Sequence, residues 1–531
     1  MRRAGERGIL ILVTGFFLMF LAIVCNYYVI AENRRYTDAA VEDTFITIKA
    51  GNSRGTIYDR NMEPLVNSAW ETRAAVVPEG AKASELSSIA ADEEEFRREY
   101  SAGKPFVFVS RGETAESAGV TFFRIPVRYS TPQPAQHIIG YLSEGKGAAG
   151  IECAYDRILR SVQGESSVTY STDGFGNVLI GGGKSVVRGG AASGVVLTID
   201  KEIQEICEES SRRIKKGAVV VSDVRTGDIL ASVSLPAYSW DSIGRAVEDE
   251  ESPLIDRTLY AYSVGSIFKL VIACEGIEEG LDWYTYTCTG TADISGQTFN
   301  CHKKDGHGKQ DMGEAMKNSC NTYFISLSRS LNTVKLRELA SELGFGKVIH
   351  LCEGIAASSG YLPETEELLI PAELANFSFG QGKLTATPLH INQLTAAIAN
   401  GGEMSIPRLI KGLTIDGEEV LNGKYPQSRR VIPEETAEKL RKMMEAAVSG
   451  NRASKAAPGN VKVGAKTSTA QTGRYDEEGE EYCHGWITGF FPAESPEYAV
   501  TVLAEDGGYG NEAAAPVFRE IARRITEKGT R

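Results

Sequence analysis

The sequence predicts an α+β chain in which an antiparallel sheet, flanked by helices and an all-helical cluster, is preceded by one transmembrane helix and a domain of mixed short elements. Three observations carry this expectation. Residues Ile9 to Ala31 form a run of 23 residues without a charge. Alternating apolar segments stand at both ends of 191–531 with helical periodicity between them, the pattern of strands from both ends of a segment sharing one sheet. Glycines at 181–183 and 189–190 mark a hinge or linker. The expected layout is a cytoplasmic tip and anchor over 1–31, an N-terminal domain with its linker over 32–190, and one large domain over 191–531.

As a helix rising about 1.5 Å per residue, the uncharged run covers the roughly 30 Å hydrocarbon core of a bilayer. Arg2, Arg3 and Arg7 precede it and favour a cytoplasmic N-terminus, an asymmetry reduced by Arg34 and Arg35 on the far side. A cleaved signal peptide could end at Val29-Ile30-Ala31, but the run is longer than the usual apolar core of such a peptide, so an uncleaved single-pass anchor is expected. Either reading exports the remainder. The rest of the composition is globular, with 42% hydrophobic and 24% charged residues, which argues against a disordered, collagen-like or multi-spanning chain. The net charge of −13, with three Arg and one Glu in the first 31 residues, excludes a nucleic-acid binder. Of nine cysteines, eight lie beyond the anchor at scattered spacings, unlike a dense disulfide framework; they read mostly as thiols in surroundings that are not oxidising.

Within 32–190 come an extended stretch with a turn (Arg54 to Arg60), an acidic helical stretch (Glu85 to Tyr100) and an amphipathic helix opened by Gly150-Ile151-Glu152. Beyond 190, Ala218 to Val221 and Ile229 to Val233 flank a turn at Arg225-Thr226-Gly227 and read as a β-hairpin. Helical periodicity covers Ile267 to Gly276, Met316 to Leu331, Thr333 to Leu343 and Leu389 to Ala399, the last with Pro388 at its first turn. Val461 to Ala465, Trp486 to Phe491 and Tyr498 to Leu503 read as strands, and Ala513 to Glu527 as a closing helix.

Three short elements in the last domain carry chemistry. Ser266 and Lys269 stand three apart at the start of an apolar helix, on one face, and a desolvated Lys can accept the proton of a Ser hydroxyl. Ser319-Cys320-Asn321 follows 53 residues later. A Ser there can relay a proton, and an Asn can fix a Lys or meet a substrate amide. Lys466-Thr467-Ser468-Thr469, at the end of an expected strand, offers a cation and hydroxyls to a carboxylate and edge N–H groups to an oxyanion. Each element alone is common as a helix cap, a turn or a polar strand end.

A separate cluster, Cys288 and Cys301 followed by His302, Asp305 and His307, has the composition of a tetrahedral Zn²⁺ site, with Cys288, Cys301, Asp305 and His307 as the candidate ligands. A disulfide across the 13-residue spacing, or two unpaired thiols with His307 in a structural turn, are the alternatives. His484, beside Gly485-Trp486, reads as a core or surface residue.

In this order the three elements resemble the S-x-x-K, S-D-N and K-T-G set of penicillin-binding proteins and class A β-lactamases. With the anchor, Arg54-Gly55-x-Ile57-x-Asp59-Arg60, Gly150-Ile151-Glu152 with Tyr155-Asp156, Thr387-Pro388-Leu389 and Ala514 to Phe518, the chain resembles a class B penicillin-binding protein, a membrane-anchored peptidoglycan D,D-transpeptidase, over nearly its whole length. An expected lack of a preceding glycosyltransferase segment favours class B over class A. The resemblance implies that 32–190 is a dimerisation or pedestal domain. It also implies that Ser266 attacks the carbonyl between the two terminal D-alanines of a stem peptide, with Lys269 taking its proton and Ser319 and Asn321 completing the cluster. Lys466, Thr467 and Thr469 would hold the terminal carboxylate, with Cys320 and Ser468 beside the substrate, and the N–H groups of Ser266 and Thr469 would form the oxyanion hole. β-Lactams would acylate Ser266. Ser468 stands where the family usually has Gly and is expected to narrow the cleft. No cofactor is required for this chemistry, and any zinc would be structural. The implied partners are peptidoglycan stem peptides, β-lactams, a membrane glycosyltransferase and other cell-wall synthesis proteins. The competing readings are a serine β-lactamase and a β-lactam sensor or scaffold.

Overall fold

The computed structural model describes residues 2–32, 45–115, 117–161, 164–190, 192–421, 423 and 425–529; Arg34 and Arg35 lie outside them. Arg2–Glu32 is one helix, and its Gly8–Ile30 span is long and apolar enough to cross a membrane. Its apolar side chains are exposed all round, as a helix needs when lipid is its solvent.

The remainder divides into two compact units. The first comprises 1–54, 69–127 and 163–191, and the second 55–68, 128–162 and 192–531. The chain therefore passes between the units five times, where a single boundary near residue 190 was expected. In the first unit, one three-stranded sheet has the order Phe45–Ser53, Gly164–Ser171, Lys184–Val187, and another has Phe106–Ser110, Ala69–Val76, Val120–Val127. Ile48, Phe123, Ile125, Val168 and Tyr170 share one apolar cluster there. The acidic stretch expected as one helix forms two, Ala83–Ser87 and Glu93–Ser101, because Asp92 caps the second by accepting from Glu95 N. The glycine-rich linker is partly a strand, Lys184–Val187.

The segments 55–68 and 128–162 join the second unit through backbone pairing and buried charge. Thr56–Tyr58 pairs in parallel with Gly194–Leu197. Asp59, 1% exposed, accepts from Asn61 N (2.7 Å), Glu63 N (2.8 Å) and Lys201 N (3.1 Å), which fixes the turn and touches the start of the helix Lys201–Ser211. The fully buried Glu152 pairs with Arg128 at 2.6 Å and accepts from the Tyr129 hydroxyl at 3.0 Å. These contacts give the Arg54-to-Arg60 and Gly-Ile-Glu sequences a physical reason: both carry carboxylates that are buried and need donors.

The second unit is built on a five-stranded antiparallel sheet in the order Ile229–Leu235, Gly217–Asp223, Tyr498–Ala504, Glu481–Phe491, Gly464–Tyr475. One face is covered by the helices Lys201–Ser211 and Ala515–Gly529, whose Ile203, Ile206, Phe518 and Ile521 pack with Val219, Val221 and Val502. Against the other lies Pro388–Ala399, a helix buried along its full length. Such a helix needs polar ties to the sheet, and Asn392 supplies them by donating to Val220 O (3.2 Å) and Ala499 O (3.0 Å) and accepting from Ser222 (2.5 Å). Two elements differ from expectation. The strand expected to end at Ala465 runs through Gly464–Tyr475, so the Lys466 element lies inside an edge strand and not at its end. The helix expected over Met316 to Leu331 is two helices, Met312–Lys317 and Asn321–Ser328, interrupted where Ser319 adopts φ +50°.

Candidate active site

The turn carrying Ser266 is a 3-10 helix, Gly265–Phe268, that passes into the α-helix Lys269–Glu278. In 3-10 geometry residues three apart eclipse, so Ser266 and Lys269 share a face more directly than on an α-helix. Gly265 has φ +63° and its N–H donates to Gly380 O at 2.7 Å, which aims the turn into the cleft.

Lys269 is fully buried. Its Nζ donates to Asn321 Oδ1 (2.7 Å), Ser319 O (2.8 Å) and Ser319 Oγ (3.3 Å), with the Phe324 ring 5.8 Å away. Burial pushes its pKa well below the ordinary lysine value, helped by the charge of Lys466 and opposed by the Cys320 and Cys301 thiols. Lys466, 3% exposed, reaches the same hydroxyl from the opposite wall: its Nζ donates to Ser319 Oγ (3.0 Å) and Thr467 O (2.8 Å), and burial lowers its pKa to about 7. Ser319 Oγ therefore bridges two lysines that are remote in sequence, one of them held close to neutrality. The left-handed backbone at Ser319 makes this possible by turning its carbonyl and its hydroxyl toward the same amine. Asn321 is oriented in turn by donating from Nδ2 to Asn300 O at 3.1 Å.

Ser266, Ser319, Asn321, Lys466, Thr467 and Thr469 line one cleft of about 720 Å³. It is the size of a small-molecule site and is open enough for a chain to enter. The structure thus brings the three sequence elements to one place. Thr467 and Thr469 are half-buried on its wall. His484 lies elsewhere, 7% exposed, accepting from Asp506 N at 3.1 Å with its ring against Tyr262.

Three candidate residues behave differently from expectation. Cys320 is not beside the substrate: it is fully buried and turned away from the cleft, with its Sγ 3.9 Å from Cys301 Sγ, because the residue after the left-handed Ser319 points into the core. Ser468 is among the residues that line the cleft, but its hydroxyl is tied down and does not project into it. It is 3% exposed and its hydroxyl donates to Val264 O at 2.9 Å, beneath the turn that carries Ser266. Asp305 is exposed at the tip of the Lys303–Gly306 turn and takes no part in the group of donor atoms formed by Cys288, Cys301, His307 and Cys320. None of the nine cysteines forms a disulfide among the described residues. Reading the sequence missed Gly265, whose signal was a glycine directly before a candidate nucleophile. It also missed the direction of Cys320, whose signal was a third cysteine close to the Cys288–Cys301 pair.

The family described as penicillin-binding protein transpeptidase domain matches residues 217–523, which include all three elements of the cleft. The chain is 30% identical over 410 residues to the peptidoglycan D,D-transpeptidase MrdA of Acinetobacter baumannii, covering 70% of this chain and 60% of that protein's length. Among solved structures, the ceftriaxone acyl-enzyme complex of penicillin-binding protein A from M. tuberculosis superposes with a TM-score of 0.63 at 24% identity, covering 88% of this chain and 97% of that one. The complex of penicillin-binding protein PBP2 with MreC from Helicobacter pylori gives 0.66 at 21% identity, covering 92% and 100%. The fold of those two structures is the fold found here. With the match extending from the first strand of the central sheet into its last covering helix, the chain belongs to the penicillin-binding protein transpeptidase family.

Proposed function

We propose that the chain is a membrane-anchored peptidoglycan D,D-transpeptidase that crosslinks stem peptides through an acyl-enzyme on Ser266. The observation that carries this reading is the pair of buried lysines meeting at Ser319 Oγ on the wall of the cleft that Ser266 enters. A lysine held well below its ordinary pKa is competent to take the Ser266 proton, as its ammonium form is not. Ser266 Oγ then attacks the carbonyl of the penultimate D-alanine, and the N–H groups of Ser266 and Thr469 receive the oxyanion. Collapse of the tetrahedral intermediate breaks the peptide bond, and the leaving D-alanine amine takes a proton through Ser319. Attack by an amine of a second stem on the ester forms the crosslink and returns the serine. Lys466 with Thr467 and Thr469 holds the donor's terminal carboxylate, and β-lactams enter as mimics of the D-alanyl-D-alanine unit.

The N-terminal helix anchors the chain once, with the catalytic unit outside the cytoplasm. The partners of this reading are a membrane glycosyltransferase that supplies uncrosslinked glycan and other cell-wall synthesis proteins. A complex of a fold relative with MreC supports a partner of the latter kind.

Fluorescent penicillin tests the reading. The full chain should carry a long-lived label that Ser266→Ala abolishes, and should crosslink stem peptides ending in D-alanyl-D-alanine. Rapid loss of label points to a β-lactamase, and absence of label to a scaffold.

A further inference from the structure

We infer that Lys317 and Arg452 form a second anion subsite of the cleft, one that takes a free carboxylate on the acceptor stem, so that acceptor amines whose chains carry carboxylates are preferred over those whose carboxyls are amidated. The inference rests on the transpeptidase reading and extends it to the second substrate. Apart from histidines, the charged side chains that line the cleft are Lys317, Arg452 and Lys466, with no carboxylate among them. The whole chain has a net charge of −13, so a lining of cations alone runs against its composition. Lys466 is engaged by Ser319 Oγ and Thr467 O. Lys317 and Arg452 make no ion pair and no side-chain hydrogen bond among the described residues. Their charge is left for a ligand, and cations gathered at one opening draw an anion to it.

The backbone holds both cations in place. Lys317 ends the helix Met312–Lys317, and its aliphatic stem lies over Gly450, where an added Cβ would stand 3.4 Å from Lys317 Cδ. Glycine at 450 leaves that stem its room. Arg452 follows two residues on, exposed in the loop after the helix Glu434–Ser449. Asn451 Oδ1 accepts from Ala453 N at 3.0 Å, and Asn511 grips both sides of the bend, donating from Nδ2 to Ala453 O (3.0 Å) and accepting at Oδ1 from Lys455 N (3.0 Å). Arg452 therefore stands on a pinned turn, which lowers the entropy lost when a ligand orders it. Val448 and Ala456, on either side of this loop, pack with Val463 and Ala465, so the two cations flank the first residues of the strand Gly464–Tyr475.

That position gives the cleft a direction. In the transpeptidase reading the Thr469 N–H meets the scissile carbonyl oxygen while Lys466 and Thr467 hold the terminal carboxylate, so the leaving D-alanine lies toward the start of the strand and the rest of the donor toward Gln471. Lys317 and Arg452 stand at the leaving-group end. The one carboxylate of D-alanine is already held there, so the outer cations need a second carboxylate, and the acceptor brings it. Its amine enters where the leaving nitrogen stood: the nitrogen bonds to the ester carbon, the C–O bond to Ser266 breaks, and the amine proton passes to Ser266 Oγ. A carboxylate several bonds beyond that nitrogen meets a guanidinium that can pair with it through two parallel hydrogen bonds, together with an ammonium; an amide in its place offers neither a charge. Both side chains thus set specificity and take no part in the bond changes.

The test uses the full chain in detergent, an N-acylated peptide ending in D-alanyl-D-alanine as donor, and acceptors with a single amine: D-α-aminoadipate and D-α-aminopimelate, each against its ω-amide. The readout is the ratio of transferred to hydrolysed acyl group, from which changes in acylation divide out. In the wild type the acids should give a ratio about tenfold above their amides, a preference that shrinks with added salt. In the double variant Lys317→Gln with Arg452→Gln the preference should fall to within about twofold, while Arg452→Lys, which keeps the charge and loses the fork, should retain part of it. Because the preference compares two acceptors on one protein, a general loss of activity does not move it. Equal transfer to acids and amides in the wild type, or a preference that survives in the double variant, overturns the subsite. Slower acylation by the donor in the double variant with its acceptor preference intact assigns the cations to the donor's own carboxylate and overturns the subsite as well. Hydrolysis without transfer to any amine, in a chain that penicillin still labels, overturns the transpeptidase reading, and the subsite falls with it.

Discussion

Gly265→Ala, made alone and together with Ser468→Gly, tests how the turn that carries Ser266 is held. At Gly265 the backbone has φ +63°, and an added Cβ would lie 2.3 Å from Ser468 Oγ, with Ala470 Cβ and Thr469 O at 3.2 Å. A left-handed backbone costs an L-residue about 1–2 kcal/mol. The Ser468 hydroxyl would also have to swing away from Val264 O, leaving a buried carbonyl without its donor at about 1–3 kcal/mol. Gly265→Ala should therefore destabilise the wild type by about 2–5 kcal/mol. In the Ser468→Gly background, where the hydroxyl is already gone, it should cost only the backbone term of about 1–2 kcal/mol. Equilibrium urea unfolding of the four proteins, followed by tryptophan fluorescence, measures the cycle. The expected coupling is about 1–3 kcal/mol, and penicillin labelling of Ser266 should weaken in the same order. Additivity to within about 0.5 kcal/mol would refute the claim that Ser468 braces this turn.

Two further predictions concern the lysines and the buried carboxylate. Lys466, with its pKa lowered to about 7 by burial, carries its charge below that pH and loses it above, so the second-order rate of penicillin acylation should fall as pH rises through about 7. Lys466→Arg should remove that alkaline limb while lowering the maximum rate, and a wild-type rate that stays flat across neutrality sinks the assignment. Glu152→Ala should cost about 3–5 kcal/mol of stability in urea unfolding, because it strands the Arg128 guanidinium in a largely buried site; a loss below about 1 kcal/mol would mean the pair is replaced by water.

Much of the catalytic arrangement was legible because its residue types are demanding. A Ser, a Lys and an Asn can share a proton network only if the fold brings them together, and the order of the three elements pointed to a fold that does. The direction of side chains was less legible. Cys320 and Ser468 stand inside the motifs, yet Cys320 turns away from the cleft because Ser319 is left-handed, and Ser468, on the same face of Gly464–Tyr475 as Lys466, spends its hydroxyl on Val264 O. Sequence spacing placed Asp305 with Cys288, Cys301 and His307, whereas in the structure it is the Cys320 sulfur that gathers with those three, arriving from across the fold where spacing along the chain gives no signal. The helix expected through residues 316–331 failed for a related reason, since apolar periodicity continues across a break that only a backbone dihedral reveals.

The strand Thr56–Tyr58 has a consequence for how the chain is made and how it can change. It is synthesised well before its partner Gly194–Leu197, with the whole of 69–127 emerging between them. The unit that holds the cleft therefore begins early and is completed late, while the first unit, begun by 1–54, continues in the interval as the segments 69–127 and 163–191. These segments are folded parts of the first unit and not free loops, since Gly164–Ser171 pairs with Phe45–Ser53 and 69–127 carries a three-stranded sheet of its own. A cut at residue 192, by contrast, would strip Gly194–Leu197 of one neighbour and expose a strand edge whose Val195, Val196 and Leu197 are fully buried in the intact chain. The unit that holds the cleft is continuous in space and discontinuous in sequence, so any piece of the chain meant to keep the cleft must carry residues 55–68 and 128–162 along with 192–531.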